Sequence, residues 1–261
     1  MSSDAVFDPA AGSLKLTRGA LADMCALHSG AELSPDALDR LSRAGLVQRD
    51  GLHPTLAAIA STASRPLVRL NLDRAAPGRN VHCEGWIDAR FALLLSGPAV
   101  DAPVFETAFL SRSLLAAQLA RMLQLAPRAR PKVTDPLEVD HGLLEALVAP
   151  GEAFSVSQLE VLIDPRDEPL PAWLEVLATL STGVNARWRL GVWWNSFEEA
   201  PRARSMEVLD SEAGLFFVAH VPRGARRYRR VQLRPVTSSQ VWRLLTALVP
   251  RPEEVSEPLS T

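Results

Sequence analysis

The stretch LHPTLAAIASTASRPLVRLNL (residues 52–72) returns in altered form as LPAWLEVLATLSTGVNARWRL (residues 170–190). In each stretch, apolar residues first recur at spacings of three and four, which places their side chains on one face of a helix. After a break at SRP or TGV, apolar residues alternate with polar ones, and this period of two is typical of a half-buried strand. Each stretch therefore predicts a helix followed by a strand.

The similarity extends towards both ends of the chain and indicates an internal duplication. Thr17 and Asp140 fall at the same position of the two copies, and each is a good N-cap for a following helix. Because helices and strands match in the same order twice, we predict two superposable repeats, over residues 13–130 and 136–250. Three further pairs of segments align: SLKLTRGALADM (13–24) with PLEVDHGLLEAL (136–147), SPDALDRL (34–41) with SVSQLEVL (155–162), and LSRSLLAAQLARML (110–123) with VTSSQVWRLLTALV (236–249).

Several strand-like segments lie between the repeated strand and the closing helix of each half. Turns rich in Pro, Gly and Asp separate them, and such short connections favour antiparallel pairing. We therefore predict an α+β fold with two pseudo-twofold-related halves, each made of helices, an antiparallel sheet and a closing helix. The halves form one compact body and span residues 1–130 and 131–261, with an acidic C-terminal tail from about residue 252.

Composition and charge exclude several classes of protein. The 261 residues are 47% hydrophobic and 22% charged, which suffices for a sizeable core, and the net charge of −2 shows no bias towards nucleic acid or acidic lipid. No apolar run reaches the roughly 20 residues that span a bilayer. The N-terminus MSSDAVFDPAAGS lacks the features of a signal peptide. Cys25 and Cys83 form no CxxC pair, so we expect reduced thiols in a cytoplasmic protein.

No motif for catalysis or cofactor binding is present in the sequence. The five histidines do not occur at HxxxH or HExxH spacing, and there is no GxSxG, GxxxxGK[ST] or GxGxxG motif. We therefore predict no catalytic residue, no metal and no cofactor. An enzyme with an unrecognised site remains an alternative.

The segment LSPDALDRLSRAGLVQRDGLHPTLAAI (33–59) resembles part of a winged helix. A DNA-recognition helix carries several exposed basic residues for phosphate and base contacts. Here Arg40 and Arg43 are offset by Asp36 and Asp39. A small helical subdomain is thus favoured, and a DNA-associated regulator is a second alternative.

The second half carries two features that the first half does not reproduce. It holds five of the six tryptophans and the arginine-rich stretch PRGARRYRR (222–230). Burial in a larger core and a solvated hairpin tip are the simpler interpretations, and an acidic protein partner ranks ahead of nucleic acid. Where two halves share a scaffold, function is expected where they differ, because Trp and Arg are enriched at interfaces. The predicted partner-binding residues are Trp193, Trp194, Arg223, Arg226, Arg227 and Tyr228.

Three stretches resemble the EspG-type chaperones of actinobacterial type VII secretion: LKLTRGALADM (14–24), LHPTLAAIASTASRPLVRLNL (52–72) and VQLRPVTSSQVWRLLTALVPR (231–251). The resemblance implies a cytosolic, non-enzymatic chaperone or adaptor with two pseudo-symmetric α+β halves. It also implies that the partner is a small helical secretion substrate of the PE/PPE kind, which the chaperone keeps soluble for export. The abundance of arginine over lysine indicates a high-GC genome.

Overall fold

The computed structural model of the chain describes residues 5–8, 13–48, 51–149, 153–162, 171–197, 201–220 and 230–259. Within these residues, helices pack against a large antiparallel sheet of eleven strands. The predicted α+β class is confirmed. No helix in these ranges has the length and apolar content needed to cross a membrane.

The first half contains β1 (Ala5–Asp8), β2 (Ser13–Leu16), α1 (Arg18–His28), α2 (Pro35–Arg43), β3 (Val47–Gln48), β4 (Gly51–Leu52), α3 (Pro54–Ser64), β5 (Val68–Ala75), β6 (Val81–Ile87), β7 (Phe91–Gly97), β8 (Phe105–Ser111) and α4 (Leu115–Leu123). The second half contains β9 (Leu137–Asp140), α5 (His141–Val148), α6 (Val156–Leu162), α7 (Pro171–Thr182), β10 (Ala186–Asn195), β11 (Pro201–Ser211), β12 (Gly214–His220), β13 (Arg230–Val236) and α8 (Ser238–Leu248).

The helix starts follow from capping residues in the sequence. The Thr17 hydroxyl accepts a hydrogen bond from the Ala20 N–H at the start of α1. Asp140 accepts from the first backbone N–H groups of α5, and Thr237 forms a capping box at α8. Each cap satisfies N–H groups that have no partner within the helix. The prediction that Thr17 and Asp140 are N-caps is confirmed.

One continuous sheet joins the two halves. Strands β5 and β10 pair antiparallel at its centre, with Leu72 opposite Leu190. Outward from this pair the order is β6, β7, β8, β2 on one side and β11, β12, β13, β9 on the other, with β1 beyond β2. The strands thus follow the same order in each half, as an internal duplication would require. That the halves superpose stays a prediction.

Several short strands of the structure are not apparent from the sequence. Residues 13–16, which precede the N-cap Thr17, form β2, and residues 137–140 form β9 at the matching position of the second half. The two-residue strands β3 and β4 pair in a separate hairpin. Strands of two to four residues contain too few alternations to be recognised by their period, and β2 and β9 are fixed by pairing with β8 and β13.

Helices cover the sheet on both faces, and three clusters of buried apolar residues lie between the helices and the strands. Helices α4 and α8 cover one face of the central strands, where Trp188 and Leu190 of β10 are buried. On the opposite face, α1 and α3 pack over the outer strands of the first half. Helices α5, α6 and α7 pack in the same way over the second half. The central strands therefore lie between two groups of helices on this second face.

The predicted C-terminal tail is packed against the sheet. After a 3₁₀ turn at Pro252–Glu254, the Ser256 N–H donates to the Asn195 carbonyl at 3.1 Å. The Leu259 N–H donates to the Pro66 carbonyl at 2.7 Å, just before β5. Val255 is buried in the core layer beneath α4 and α8. Residues 252–259 thus connect the end of β10 to the start of β5.

Candidate partner-binding site

The central strands present a polar surface between the two groups of helices. On β5, Leu70 and Leu72 point into the core under α4 and α8, so the alternating residues point to the other face. We call this surface the central platform. It consists of Arg69, Asn71 and Asp73 on β5, Glu84 and Trp86 on β6, Arg189, Gly191 and Trp193 on β10, and Ser205 on β11.

An arginine lies between two tryptophans at one end of the platform. The register places Arg69 directly opposite Trp86 on one side and opposite Trp193 on the other. All three side chains are half-buried, and Arg69 Nε is buried without an acceptor among the described residues. Aromatic rings beside guanidinium donors are the composition that protein interfaces favour.

A salt bridge joins the first group of helices to the platform. Arg18, the first residue of α1, donates to both carboxylate oxygens of Glu84, with Nη2–Oε1 at 2.6 Å and Nε–Oε2 at 3.3 Å. The buried His82 lies next to Glu84 and contacts Asp73 through Nδ1 at 2.7 Å. Burial raises the pKa of Glu84, but the bonds from Arg18 and His82 outweigh this effect and hold that pKa below its ordinary value.

A second ionic cluster joins the other group of helices to the platform. Arg187 on β10 donates to both oxygens of Glu145 on α5, at 2.8 and 2.6 Å, and to Glu207 on β11 at 2.6 Å. Arg189 lies 3.4 Å from Glu145 and is about half exposed. The hydrogen bonds from Arg187 lower the pKa of Glu145. Both sides of the platform are thus held in place by charge-assisted hydrogen bonds.

The lowered pKa of Glu145 predicts a pH dependence of stability. A carboxylate whose pKa is lower in the folded state stabilises the fold above its unfolded pKa, near 4.5, and loses this contribution as pH falls through the folded pKa. Glu145→Gln should therefore lower the urea midpoint at pH 7 and have a smaller effect at pH 3. Equal effects at the two pH values would show that charge does not link α5 to the sheet.

A groove of about 830 Å³ opens beside the platform, between α1 and the end of α3. Leu21, Cys25 and Ala63 supply apolar walls, while Arg65 and Trp86 lie towards the platform. Burial raises the pKa of the Cys25 thiol, so it lies here as an apolar side chain. The groove extends the half-buried Trp86 surface towards the first group of helices.

The structure separates the two predicted tryptophans. Trp193 is half-buried on the central platform, whereas Trp194 is only 3% exposed and lies in the opposite core. Its indole N–H donates to the Glu254 carbonyl at 3.0 Å, and the Arg204 guanidinium lies 5.0 Å from its ring. Trp194 therefore offers no surface to a partner in this conformation, because alternate strand residues face opposite sides.

The remaining predicted residues are Arg223, Arg226, Arg227 and Tyr228, and all four lie outside the described residues. The strands on either side end at His220 and begin at Arg230. The platform residues Arg69 and Trp86 were not predicted. Alternation along β5 and β6 places both residues on the face opposite the core under α4 and α8. Only the strand register, however, shows that they lie beside Trp193.

The winged-helix-like segment forms α2, the small β3–β4 hairpin and α3. Two of its basic residues contact acidic side chains: Arg40 lies 3.4 Å from Asp23, and Arg43 lies 2.7 Å from Asp39. A small helical subdomain packed on α1 matches the interpretation that the sequence favoured. In the described part of the chain, no group of three or more His, Cys, Asp or Glu side chains is arranged to hold a metal ion.

Comparison with known proteins finds similarity in structure only. No protein-family model and no curated protein matches the sequence. Among solved structures, the chain is similar to the Mycobacterium tuberculosis type VII secretion system chaperone EspG5, solved in complex with the PE25–PPE41 dimer. The TM-score is 0.62 at 12% sequence identity, and the alignment covers 94% of this chain and 100% of that chain. Over nearly its whole length, this chain shares its fold with a type VII secretion chaperone.

Proposed function

We propose that this protein is a non-enzymatic, cytoplasmic chaperone or adaptor that binds secretion substrates of a type VII-like system. The observation that carries the proposal is the shared fold with EspG5, a chaperone solved with a bound PE25–PPE41 dimer. The alignment covers 94% of this chain, so both halves take part in the similarity that supports the proposal. The proposed client is a small helical protein of the PE/PPE kind.

The central platform has the size that a helical client requires. All of its residues except Ser205, which lies at the edge on β11, belong to three neighbouring strands, β6, β5 and β10, which form its floor. Strands lie about 4.8 Å apart, so this floor is about 10 Å wide, close to the diameter of an α-helix. The two groups of helices flank the floor, and the Arg18–Glu84 and Arg187–Glu145 bridges hold them there. A helix or helical hairpin could therefore lie along the central strands.

The polar and aromatic groups of the platform suit recognition of such a client. Trp86 and Trp193 offer ring faces that lose little conformational entropy on binding, and Arg69 offers donors to a carboxylate or a helix C-terminus. Arg226 and Arg227, which the sequence analysis selected, are proposed as additional donors. Trp194 is proposed to contribute only by supporting β10 from the opposite face.

Trp193→Ala should weaken client binding by about 2 kcal/mol, or roughly thirtyfold in Kd. The reason is that the half-buried ring lies on the floor of the proposed interface and would be fully covered by the client. Binding is measured by isothermal titration calorimetry with a PE–PPE pair that co-purifies with this protein on coexpression. Each variant is first shown to be folded by circular dichroism.

Trp242→Ala is the matched control, since Trp242 is 41% exposed on α8, on the other side of the sheet. We expect its Kd to match that of the unmodified protein. A second comparison, Arg226→Glu/Arg227→Glu, tests the arginine-rich stretch. If Trp242→Ala weakens binding and Trp193→Ala does not, the client binds to α4 and α8 and the platform proposal is wrong.

Salt-dependent DNA binding without client binding would instead favour the alternative that the protein is a DNA-associated regulator.

A further inference from the structure

A basic cleft of about 680 Å³ lies on the face of the sheet opposite the platform. Strands β2, β5, β7 and β8 contribute to its floor, and the C-terminal turn of α4 forms one wall. Four basic residues line it: Lys15, Arg74, Arg79 and Arg121. The one acidic residue among the lining side chains is Glu106, which lies 3.8 Å from Lys15.

Arg74 is the informative residue of this cleft, because it is buried without a carboxylate partner. It is 7% exposed, and Nη2 donates to the side-chain carbonyl of Gln124 at 2.7 Å. Nη1 makes a long contact of 3.4 Å with the Arg79 carbonyl, and Nε has no acceptor among the described residues. A guanidinium has five donors, so this cation is under-satisfied.

Three other partly buried arginines of the chain are neutralised by carboxylates. Arg18 has Glu84, Arg187 has Glu145 and Glu207, and Arg128 binds both oxygens of Asp210. Burial is the main effect that lowers the pKa of Arg74, and the nearby charge of Arg79 adds to it, while the charge of Asp210, which is itself paired with Arg128, acts in the opposite direction. A buried guanidinium that forms no ion pair is expected where an external anion supplies the missing counter-charge.

The backbone supports this placement of Arg74. Gln124, whose side chain accepts from Arg74, is the one non-glycine residue in the described ranges with a positive φ, at 56°. A left-handed conformation is uncommon for such a residue. Here it ends α4 and allows the Gln124 amide to reach Arg74 across the cleft. The carbonyl of this amide orients the guanidinium without neutralising it.

We propose that this cleft binds a small molecule that carries a phosphate or pyrophosphate group. The cleft holds four cations and one carboxylate, so an anion with more than one negative charge would balance it best. The paired N–H donors of a guanidinium also fit the spacing of phosphate oxygens. Asn80, Ser96 and Gln118 add neutral donors, while Val81 and Met122 give an apolar side for the organic part of the ligand. The inference does not depend on the proposed function, since cleft and platform lie on opposite faces.

Isothermal titration calorimetry with inorganic pyrophosphate and with inorganic phosphate, in low-salt buffer, tests the proposal. We expect saturable binding at one site, with pyrophosphate the tighter ligand. Arg79→Gln/Arg121→Gln removes two exposed cations of the rim and should weaken pyrophosphate binding about tenfold or more. Arg74→Lys keeps the charge but removes the fork and should weaken binding to a similar extent.

Arg43→Gln/Arg90→Gln is the matched control, because it removes two exposed arginines that lie outside the cleft. The affinity of this double variant for pyrophosphate should equal that of the unmodified protein. Equal weakening in the control and the rim variant would mean that pyrophosphate responds only to overall charge, which overturns the proposal. Absence of saturable binding at millimolar pyrophosphate would overturn it as well. If Arg74→Lys does not fold, the rim variant decides the outcome alone.

Discussion

Replacing Trp194 with alanine is expected to lower the free energy of unfolding by about 3–5 kcal/mol. The indole is 3% exposed among the side chains beneath α4 and α8, and its N–H is bonded to the Glu254 carbonyl. The substitution removes the buried ring, leaves a cavity and releases this contact to residues 252–259. Urea denaturation followed by circular dichroism measures the change.

Trp193→Ala serves as the control for this prediction, because the same residue type is removed from the opposite face of the same strand. Trp193 is half-buried, so the loss should be about 1 kcal/mol. The pair thus separates stability, which depends on Trp194, from client binding, which depends on Trp193. Equal destabilisation by the two substitutions would contradict the assignment of the two rings to different faces.

Arg128→Met is expected to destabilise the fold by about 3 kcal/mol at pH 7. Arg128 lies between the halves and donates to both oxygens of Asp210 on β11, at 2.8 and 2.7 Å. Asp210 is 2% exposed, so removal of the guanidinium leaves a buried carboxylate without its cation. The bond raises the pKa of Arg128, in keeping with a tight pair. Thermal unfolding and urea midpoints provide the measurement.

The control is Arg130→Met, which changes an exposed arginine two residues further along the same segment. Its effect should stay within about 0.5 kcal/mol, as for most surface substitutions. If Arg128→Met behaves like the control, Asp210 is satisfied without Arg128. The Arg128–Asp210 pair would then not be what stabilises the segment between the halves.

Local periodicity predicts much of this fold. The change from a helical period to alternation predicts α3 followed by β5 and α7 followed by β10, and Thr17 and Asp140 define helix starts. Strands β2 and β9 escape such an analysis because four residues show too little alternation. They exist because their backbones pair with β8 and β13 at long range.

The site is only partly predictable, for a different reason. Alternation along β10 shows that Trp193 and Trp194 point to opposite faces of the sheet, but it does not show which of these two faces is covered by helices at this position. That depends on where α4 and α8 pack, and this packing buries Trp194. Likewise, Arg69 and Trp86 become neighbours of Trp193 only through the β6–β5–β10 register. The β5–β10 pair that joins the halves could not be inferred from either copy alone.

Hydroxyl-radical footprinting of the tryptophans, with and without a bound PE–PPE-type client, tests the central claim most directly. The account predicts that the client lowers oxidation of Trp86 and Trp193 on the platform. Oxidation of Trp242, on α8 and 41% exposed, should not change, and it reports on the opposite face. Protection of Trp242 with no protection of Trp86 or Trp193 would contradict the claim that the central platform binds the client.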